Sequence, residues 1–185
     1  MDELTSLARA AGRGDRGALA QLIQQTQGDV WRLCAHLVEP AAADDLAQDT
    51  YLRAIGSLAK FRADAPVRVW LLAIARRACA AEIAARSRDR RLARRIAALP
   101  DNGLGQPAAE PGAQVAADDL VTALEPDRRA AFVLTQMLGC SYAEAAAVCD
   151  CPVGTIRSRV ARAREDLDAL LSDADRRWPT TSAAR

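Results

Sequence analysis

Aromatic residues, histidine and long apolar runs are scarce in this sequence of 185 residues. Only seven residues are aromatic, whereas 42 are alanine, which favours helices over strands. No apolar run approaches the ~20 residues that a membrane-spanning helix needs. The N-terminus is acidic, and the apolar segment of a secretory leader does not follow it. We therefore expect an all-α protein that stays in the cytoplasm and does not contact a membrane.

Groups that carry chemistry in enzymes are equally sparse. The one histidine, His36, has no nucleophile–base pattern around it, and the sequence has no glycine-rich phosphate loop. Five cysteines are an odd number for a disulfide framework in a chain without an export signal. Cys149 and Cys151 lack the spacing and the second cluster that are typical of a zinc site. The sequence therefore predicts no enzyme activity, no catalytic residue, no cofactor and no metal.

The net charge of +1 hides a strong alternation of charge along the chain. Residues 60–99 carry a net charge of +8 and residues 128–164 carry +4, and residues 100–127 between them carry −6. Each basic block could contact a polyanion such as a nucleic acid. A single basic block is more often a solvated helix face than a binding site, so charge without a sequence motif does not predict nucleic-acid binding.

Apolar residues recur at helical spacing through most of the first hundred residues. The spacing predicts helices over residues 16–38, 43–58 and 67–97, with a loop before the last of them. We expect Ile55 and Ala81 on the buried faces of the second and third helices. Arginine crowds the second half of the third helix.

Residues 98–117 are rich in proline and glycine and show no apolar periodicity, which indicates a flexible linker. The linker divides the chain into a predicted helical domain over residues 1–97 and a second one over residues 118–176. Residues 177–185 form a short tail. The expected architecture is therefore two small helical domains joined by a flexible linker.

The second domain carries the pattern of a helix-turn-helix. Ser141 begins a helix with a capping box that Glu144 completes, and Pro152 opens the last helix after a short turn. The second helix of such a motif enters the major groove of DNA, where arginine recognises guanine. The alternative is a plain helical hairpin with a solvated arginine face. Two groups are expected on opposite sides of the last helix: Ile156, Val160, Ala163, Leu167 and Leu170 inward, and Arg157, Ser158, Ala161, Arg162 and Glu165 outward.

Residues 151–164, Cys-Pro-Val-Gly-Thr-Ile-Arg-Ser-Arg-Val-Ala-Arg-Ala-Arg, closely resemble the −35 recognition segment of extracytoplasmic-function sigma factors. These are the small two-domain members of the sigma-70 family. Residues 139–146 resemble the first helix of the same helix-turn-helix. Residues 44–55 resemble the family's region 2.2, and residues 61–64 and 70–76 resemble regions 2.3 and 2.4. The motifs follow the family's order and cover nearly the whole chain except the linker and the tail.

The resemblance implies a promoter-specificity subunit that binds core RNA polymerase through its β′ and β subunits. Five residues at helical spacing form an acidic stripe around a leucine, opposite the buried face of the helix over residues 43–58. The resemblance implies that this stripe docks on the β′ coiled coil, whereas the charges alone would favour a solvated face. We call it the docking face, and it comprises Asp45, Gln48, Asp49, Leu52 and Arg53.

The resemblance also implies two sets of residues that contact promoter DNA. The −10 element has to be melted and its single strand held, which calls for a basic surface with aromatic contacts. Trp70 lies at the spacing of the core and is expected to be structural. Candidates for −10 contacts are Phe61, Arg62, Asp64, Arg76, Arg77, Arg86, Arg88, Arg90 and Arg91. Candidates for −35 contacts are Gly154, Thr155, Arg157, Ser158 and Arg162.

Two alternatives stay open at this stage. One is a helix-turn-helix regulator that binds duplex DNA without polymerase, although the docking face and the arginine-rich helix argue against it. The other is a protein-interaction switch that senses thiol oxidation through Cys149 and Cys151. The family commonly has an anti-sigma factor that clamps both domains. The acidic segment between the basic blocks also suggests that the two domains fold against each other and hide their DNA surfaces.

Overall fold

The computed structural model describes residues 2–97 and 117–177, and these two ranges are helical and contain no strand. An all-α fold is therefore confirmed for the described residues. The elements in chain order are α1 (Glu3–Gly12), α2 (Arg16–Leu37), α3 (Pro40–Leu58), α4 (Val67–Ala97), α5 (Ala117–Ala123), α6 (Pro126–Phe132), a π-helical segment (Val133–Met137), α7 (Tyr142–Cys149) and α8 (Val153–Arg177).

Helices α1 to α4 pack around a common core. Leu33 of α2 and Leu71 and Leu72 of α4 are fully buried at its centre. Two buried threonines keep their hydroxyls satisfied, because Thr26 and Thr50 each donate at 2.7 Å to the carbonyl four residues earlier. Burial of the apolar faces therefore costs no unpaired hydroxyl at these positions.

Helices α6, α7 and α8 form a second group, in which α7 and α8 make the helix-turn-helix. Gly139 with φ +66° lies between the π-helical segment and α7, where a residue with a side chain would be strained. Asp150 takes a left-handed conformation with φ 52° and ends α7. Ile156, Val160 and Ala163 of α8 are buried, which confirms the predicted inner face of this helix.

The structure differs from the sequence-based expectation at four places. Helix α1 was not predicted, and α3 begins at Pro40 because proline is well suited to the first turn of a helix. The prediction of a buried Ile55 is wrong, since the buried stripe of α3 follows residues 43, 46, 50, 54 and 58 and leaves Ile55 44 % exposed. Ala81 is exposed because Cys79 is the last buried residue in the described part of α4.

The two groups of helices pack against each other. Helix α4 of the first group lies against α7 of the second, and α2 lies against α5 and α6. Buried side chains of both groups form one continuous apolar cluster. Within residues 2–97 and 117–177, no helix has the length and apolar character needed to cross a bilayer. The segment predicted as a linker, residues 98–116 of it, lies outside the described residues.

Candidate nucleic-acid interface

A capping box fixes the start of α7, the first helix of the helix-turn-helix. Ser141 Oγ accepts from the backbone N–H of Glu144 at 3.2 Å, and Glu144 Oε2 accepts from the backbone N–H of Ser141 at 2.8 Å. These hydrogen bonds, first the one from the Ser141 backbone, hold the pKa of Glu144 below its ordinary value. The cap therefore sets where α7 begins, and the left-handed residue Asp150 separately ends α7 and turns the chain towards α8.

The candidate −35 residues lie together on the outward side of α8. Gly154, Arg157, Ser158 and Arg162 are exposed, and Thr155 is half-buried. Ser158 Oγ donates to the Thr155 carbonyl at 3.0 Å. Neither Arg157 nor Arg162 has a hydrogen-bond or ion-pair partner within the described part of the chain, so both guanidinium groups can bind an outside acceptor.

The candidate −10 residues extend over the loop before α4 and along α4 itself. Phe61 packs on Trp70 with ring centroids 5.0 Å apart, and both rings are half-buried, which suits the structural role expected for Trp70. Arg86 donates to Glu82 at 2.6 Å and also pairs with Glu39. The remaining candidates on this surface, Arg76 apart, are exposed: Arg62, Asp64, Arg77, Arg88, Arg90 and Arg91.

The predicted docking face is a continuous surface of α3, separate from α8. Leu52 is 64 % exposed and lies among the polar residues of this face. Asp45, Gln48 and Arg53 are exposed, and Asp49 pairs with Arg53 at 2.8 Å. An exposed apolar side chain surrounded by polar residues is compatible with a protein–protein interface, in which an apolar centre lies inside a polar rim.

Polar contacts between the two groups of helices were missed by the sequence analysis. Arg68 of α4 pairs with Asp29 at 2.6 Å and donates across the interface to the Leu138 carbonyl at 2.6 Å and to Cys140 Sγ at 3.4 Å. Arg129 of α6 donates to the Leu37 carbonyl at 3.1 Å. Because two of these acceptors are backbone carbonyls, no sequence pattern marks them.

Asp127 of α6 connects a −10 candidate to the helix-turn-helix. Its carboxylate accepts from Arg76 of α4 at 3.2 Å and also pairs with Arg159 of α8. Arg159 on α8 is therefore engaged in an ion pair with α6. Arg164 instead donates to Gln136 at 2.8 Å. Of the candidate DNA residues, Arg76 is thus held at the contact between the two groups.

The cysteines are free thiols, four of them buried and Cys151 half-buried. Burial raises the pKa of Cys149 to about 11, so its thiol stays protonated near neutral pH. Within the described ranges, histidine, cysteine and acidic residues do not come together in a group that could hold a metal ion.

Comparison with known proteins identifies the family. The model of Sigma-70 region 2 matches residues 22–89, and that of Sigma-70, region 4 matches residues 114–167. The ECF RNA polymerase sigma factor SigC of Mycobacterium tuberculosis (strain CDC 1551 / Oshkosh) is 48% identical over 177 residues, which cover 94% of this chain and 92% of the relative. The chain belongs to the extracytoplasmic-function sigma factors. The resemblance drawn from the sequence motifs is thereby confirmed.

Other sigma factors are similar to this chain in sequence or structure over most of its length. The ECF RNA polymerase sigma-E factor of Escherichia coli (strain K12) is 30% identical over 182 residues, covering 92% of this chain and 95% of the relative. The sigma factor RpoE of Bartonella quintana, solved with the anti-sigma factor NepR, aligns with a TM-score of 0.64 and 28% identity over 83% of this chain and 96% of that one. CnrH, solved with the cytosolic domain of CnrY, aligns with a TM-score of 0.68 and 29% identity over 94% and 99%.

Family membership decides between the functions that the sequence left open. The protein is an RNA polymerase sigma factor that directs promoter-specific initiation of transcription, and its partners are core RNA polymerase and promoter DNA. A helix-turn-helix regulator that works without polymerase is not favoured. The separate tasks of the docking face, α4 and α8 stay predictions at the level of residues.

Proposed function

We propose that this sigma factor divides its work among three surfaces. The docking face on α3 binds the β′ coiled coil of core polymerase, α4 with the loop before it holds the melted −10 element, and α8 recognises −35 DNA. The observation that carries this proposal is that the docking face and the outward side of α8 are both exposed on separate helices. One chain can therefore contact polymerase and promoter DNA together.

The charges of the three surfaces agree with these tasks. Unpaired guanidinium groups on α8 can bind phosphates and guanine edges, since arginine donates in a fork. The exposed arginines of the second half of α4 suit a single strand, because a basic groove follows the backbone without regard to sequence. The docking face is acidic and would repel DNA, which leaves it to a protein partner.

Binding to core polymerase tests the proposal. The full chain and a variant with Asp45→Arg and Asp49→Arg are titrated with core polymerase. A second double variant, Glu165→Arg and Asp168→Arg, changes two exposed acidic residues of α8 and serves as a charge-matched control outside the docking face. We expect loss of core binding in the Asp45/Asp49 variant and retention in the control. Equal binding by all three proteins would overturn the assignment of α3.

We further propose that the free chain rests in the closed arrangement in which α4 packs on α7. The Asp127–Arg76 pair supports this proposal, because it holds a −10 candidate against the second group of helices. The outward side of α8 stays exposed in this arrangement, so closure restrains the −10 surface rather than the −35 surface. If separated domains and the intact chain bind DNA equally, closure has no regulatory effect.

An anti-sigma factor is a further proposed partner, since the Bartonella relative was solved in complex with one. The protein itself catalyses no reaction in this proposal and works in the cytoplasm, as its task at the polymerase requires. A co-purification of the tagged chain with a protein that blocks its core binding tests the first statement. Loss of that inhibitor should raise transcription from the same promoters.

A further inference from the structure

Thr5 of α1 differs from the other buried threonines in the described part of the chain. Thr26 and Thr50 donate to carbonyls of their own helices, whereas Thr5 Oγ1 accepts at 3.2 Å from the backbone N–H of Val67, 62 positions later. Thr5 is 4 % exposed, and Val67 is fully buried. Water therefore cannot replace the hydroxyl as acceptor unless the structure opens locally.

The hydrogen bond lies at the start of α4. Val67 is the first residue of this helix, and the first N–H groups of a helix have no acceptor within the helix itself. A side-chain oxygen of the residue before the helix commonly accepts from one of these groups. Pro66 occupies that position and has no side-chain oxygen. The hydroxyl of Thr5 therefore supplies an acceptor that the preceding residue lacks.

Thr5 is itself held by the cap of α1. Asp2 Oδ1 accepts from the Thr5 backbone N–H at 2.6 Å, and hydrogen bonding to this N–H holds the pKa of Asp2 below its ordinary value. Ala8, on the same face of the helix, is fully buried, and α1 packs on α2, α3 and α4. Helix α1 lies outside residues 22–89, the segment that matches Sigma-70 region 2. The start of α4 is thus tied to a helix outside that segment.

The loop between α3 and α4, residues 59–66, contains a strained residue. Ala63 has φ +60°, a left-handed conformation that is unfavourable for a residue with a side chain. Such a conformation persists only where the surrounding structure enforces it. Near the start of the loop Phe61 packs on Trp70, and at its end the hydrogen bond of Val67 joins the chain to α1. The strained residue is therefore held between two anchors.

A cleft of about 360 Å³ separates α1 from the loop. Asp2, Thr5 and Arg9 line it on the side of α1, and residues 63–66 line the opposite side. Because the loop does not lie flat on α1, packing on that side contributes little to its conformation. The hydrogen bond from Val67 to Thr5 therefore has a large share in fixing the end of the loop.

We propose that Thr5 is a positioning residue for the −10 contacts. Its hydroxyl holds the end of the loop, and with it the left-handed turn at Ala63, in the conformation that receives the melted strand. Thr5 acts through the loop and does not itself contact DNA. The inference rests on the proposed function, since it takes the loop before α4 as part of the −10 surface.

The test measures promoter opening by holoenzymes reconstituted from core polymerase and full-length variants. The probe is a promoter that the native holoenzyme transcribes, with 2-aminopurine in the −10 element, whose fluorescence rises when the base unstacks. Thr5→Val keeps the shape of the side chain and removes the acceptor, and we expect opening about tenfold slower, because a buried N–H loses its partner. Thr5→Ser keeps the oxygen and should open the promoter at a rate within about twofold of the native chain.

Thr50→Val is the matched control. Thr50 is also fully buried, but its hydroxyl donates within α3 and does not reach the loop. This variant should open the promoter at the native rate. Binding to core polymerase should be unchanged in all variants, since none of them alters the docking face. If Thr5→Val weakens core binding as much as it slows opening, Thr5 supports the fold in general and the inference is overturned.

The double variant with Thr5→Val and Ala63→Gly tests the link between Thr5 and the loop. Glycine adopts a positive φ without a steric penalty, so it lowers the cost of the conformation that Thr5 enforces. The second change should therefore recover most of the opening rate that Thr5→Val loses. An opening rate no faster than that of Thr5→Val alone would overturn the inference.

The outcomes separate this inference from the proposed function. Native-like opening by Thr5→Val, together with slow opening by Phe61→Ala, would reject the role of Thr5 and keep the loop as part of the −10 surface. Native-like opening by both Phe61→Ala and Arg62→Ala would reject the −10 assignment of the loop, and this inference with it. If Thr5→Val fails to fold, Thr5→Ala decides, and native-like opening by that variant rejects the inference.

Discussion

Removal of the Arg68 side chain is expected to loosen the closed arrangement of the free sigma factor. Arg68 lies on α4 and donates to the Leu138 carbonyl of the second group of helices at 2.6 Å. The Arg68→Ala substitution leaves Asp29 paired with Arg32, so it does not create an unpaired carboxylate. The lost contact across the interface is therefore mainly one hydrogen bond from a charged donor to a carbonyl.

A hydrogen bond to a charged group contributes about 1.5–3 kcal/mol, and the carbonyl left behind loses its partner in the closed form only. Since about 1.4 kcal/mol corresponds to a factor of ten, the ratio of closed to open chain should fall roughly 10- to 100-fold. If the β′ and β subunits of core polymerase each contact one of the two groups of helices, polymerase binds the open chain. Where the open chain is the minor form, the apparent affinity for core polymerase then rises by the same factor.

The assay is a titration of core polymerase with labelled native chain, Arg68→Ala and Arg128→Ala. Arg128 pairs with Asp166 at 2.7 Å within the second group of helices, so its removal tests the loss of an arginine ion pair that does not cross the interface. We expect tighter binding for Arg68→Ala and unchanged binding for Arg128→Ala. Equal or weaker binding by a folded Arg68→Ala chain would refute the reasoning.

Three further predictions concern the helix-turn-helix. Ser141→Ala should lower the free energy of unfolding by about 1 kcal/mol in urea titrations. The folded-state pKa of Glu144 lies below its ordinary value of 4.5. The stabilisation that Glu144 gives to the cap is therefore complete above pH 4.5 and is lost as the pH falls through the folded-state pKa. Arg157→Ala should relax base preference at one −35 position, whereas Arg162→Ala should weaken binding to all duplexes and reduce the slope of log affinity against log salt by about one; identical effects in both variants would contradict this division. Cys149 should resist thiol reagents below about pH 10, because its thiol has a pKa of about 11, and rapid modification of the folded chain at pH 7.5 would revive the thiol-switch alternative.

The helices of this chain could largely be predicted from apolar spacing, because each of them buries one stripe in a core. Helix α4 has the predicted bounds, and the inner and outer sides of α8 are as expected. Helix α1 had a signal that was not used, since Asp2 caps it by accepting from the Thr5 backbone N–H at 2.6 Å. Ile55 shows the limit of prediction from apolar spacing, because it directly follows Ala54 of the buried stripe of α3 and is nevertheless exposed.

The contact between the two groups of helices could not be predicted residue by residue. Arg68 and the Leu138 carbonyl are 70 positions apart, and any residue provides such a carbonyl. The expectation that −35 residues are hidden came from charge alone, and the structure leaves Arg157 and Arg162 exposed. Charge blocks indicate attraction between segments, whereas the surfaces that meet are determined by packing.

The contact between α2 and α3 shows a second limit. The sequence indicated the acidic stripe of α3 through its helical spacing. Trp31 belongs to another helix, and only the folded chain brings its ring next to Asp44. Helical spacing in the sequence therefore reveals only the part of a surface that lies on one helix, and it misses the residues that a second helix contributes.

Run-off transcription from genomic fragments with core polymerase tests the central claim most directly. The native chain should produce transcripts that start at defined promoters. The variant with Asp45→Arg and Asp49→Arg should give none, and Arg157→Ala should lower transcription only where a −35 element is required. Transcripts of equal amount and position with and without the native chain would contradict its assignment as a sigma factor.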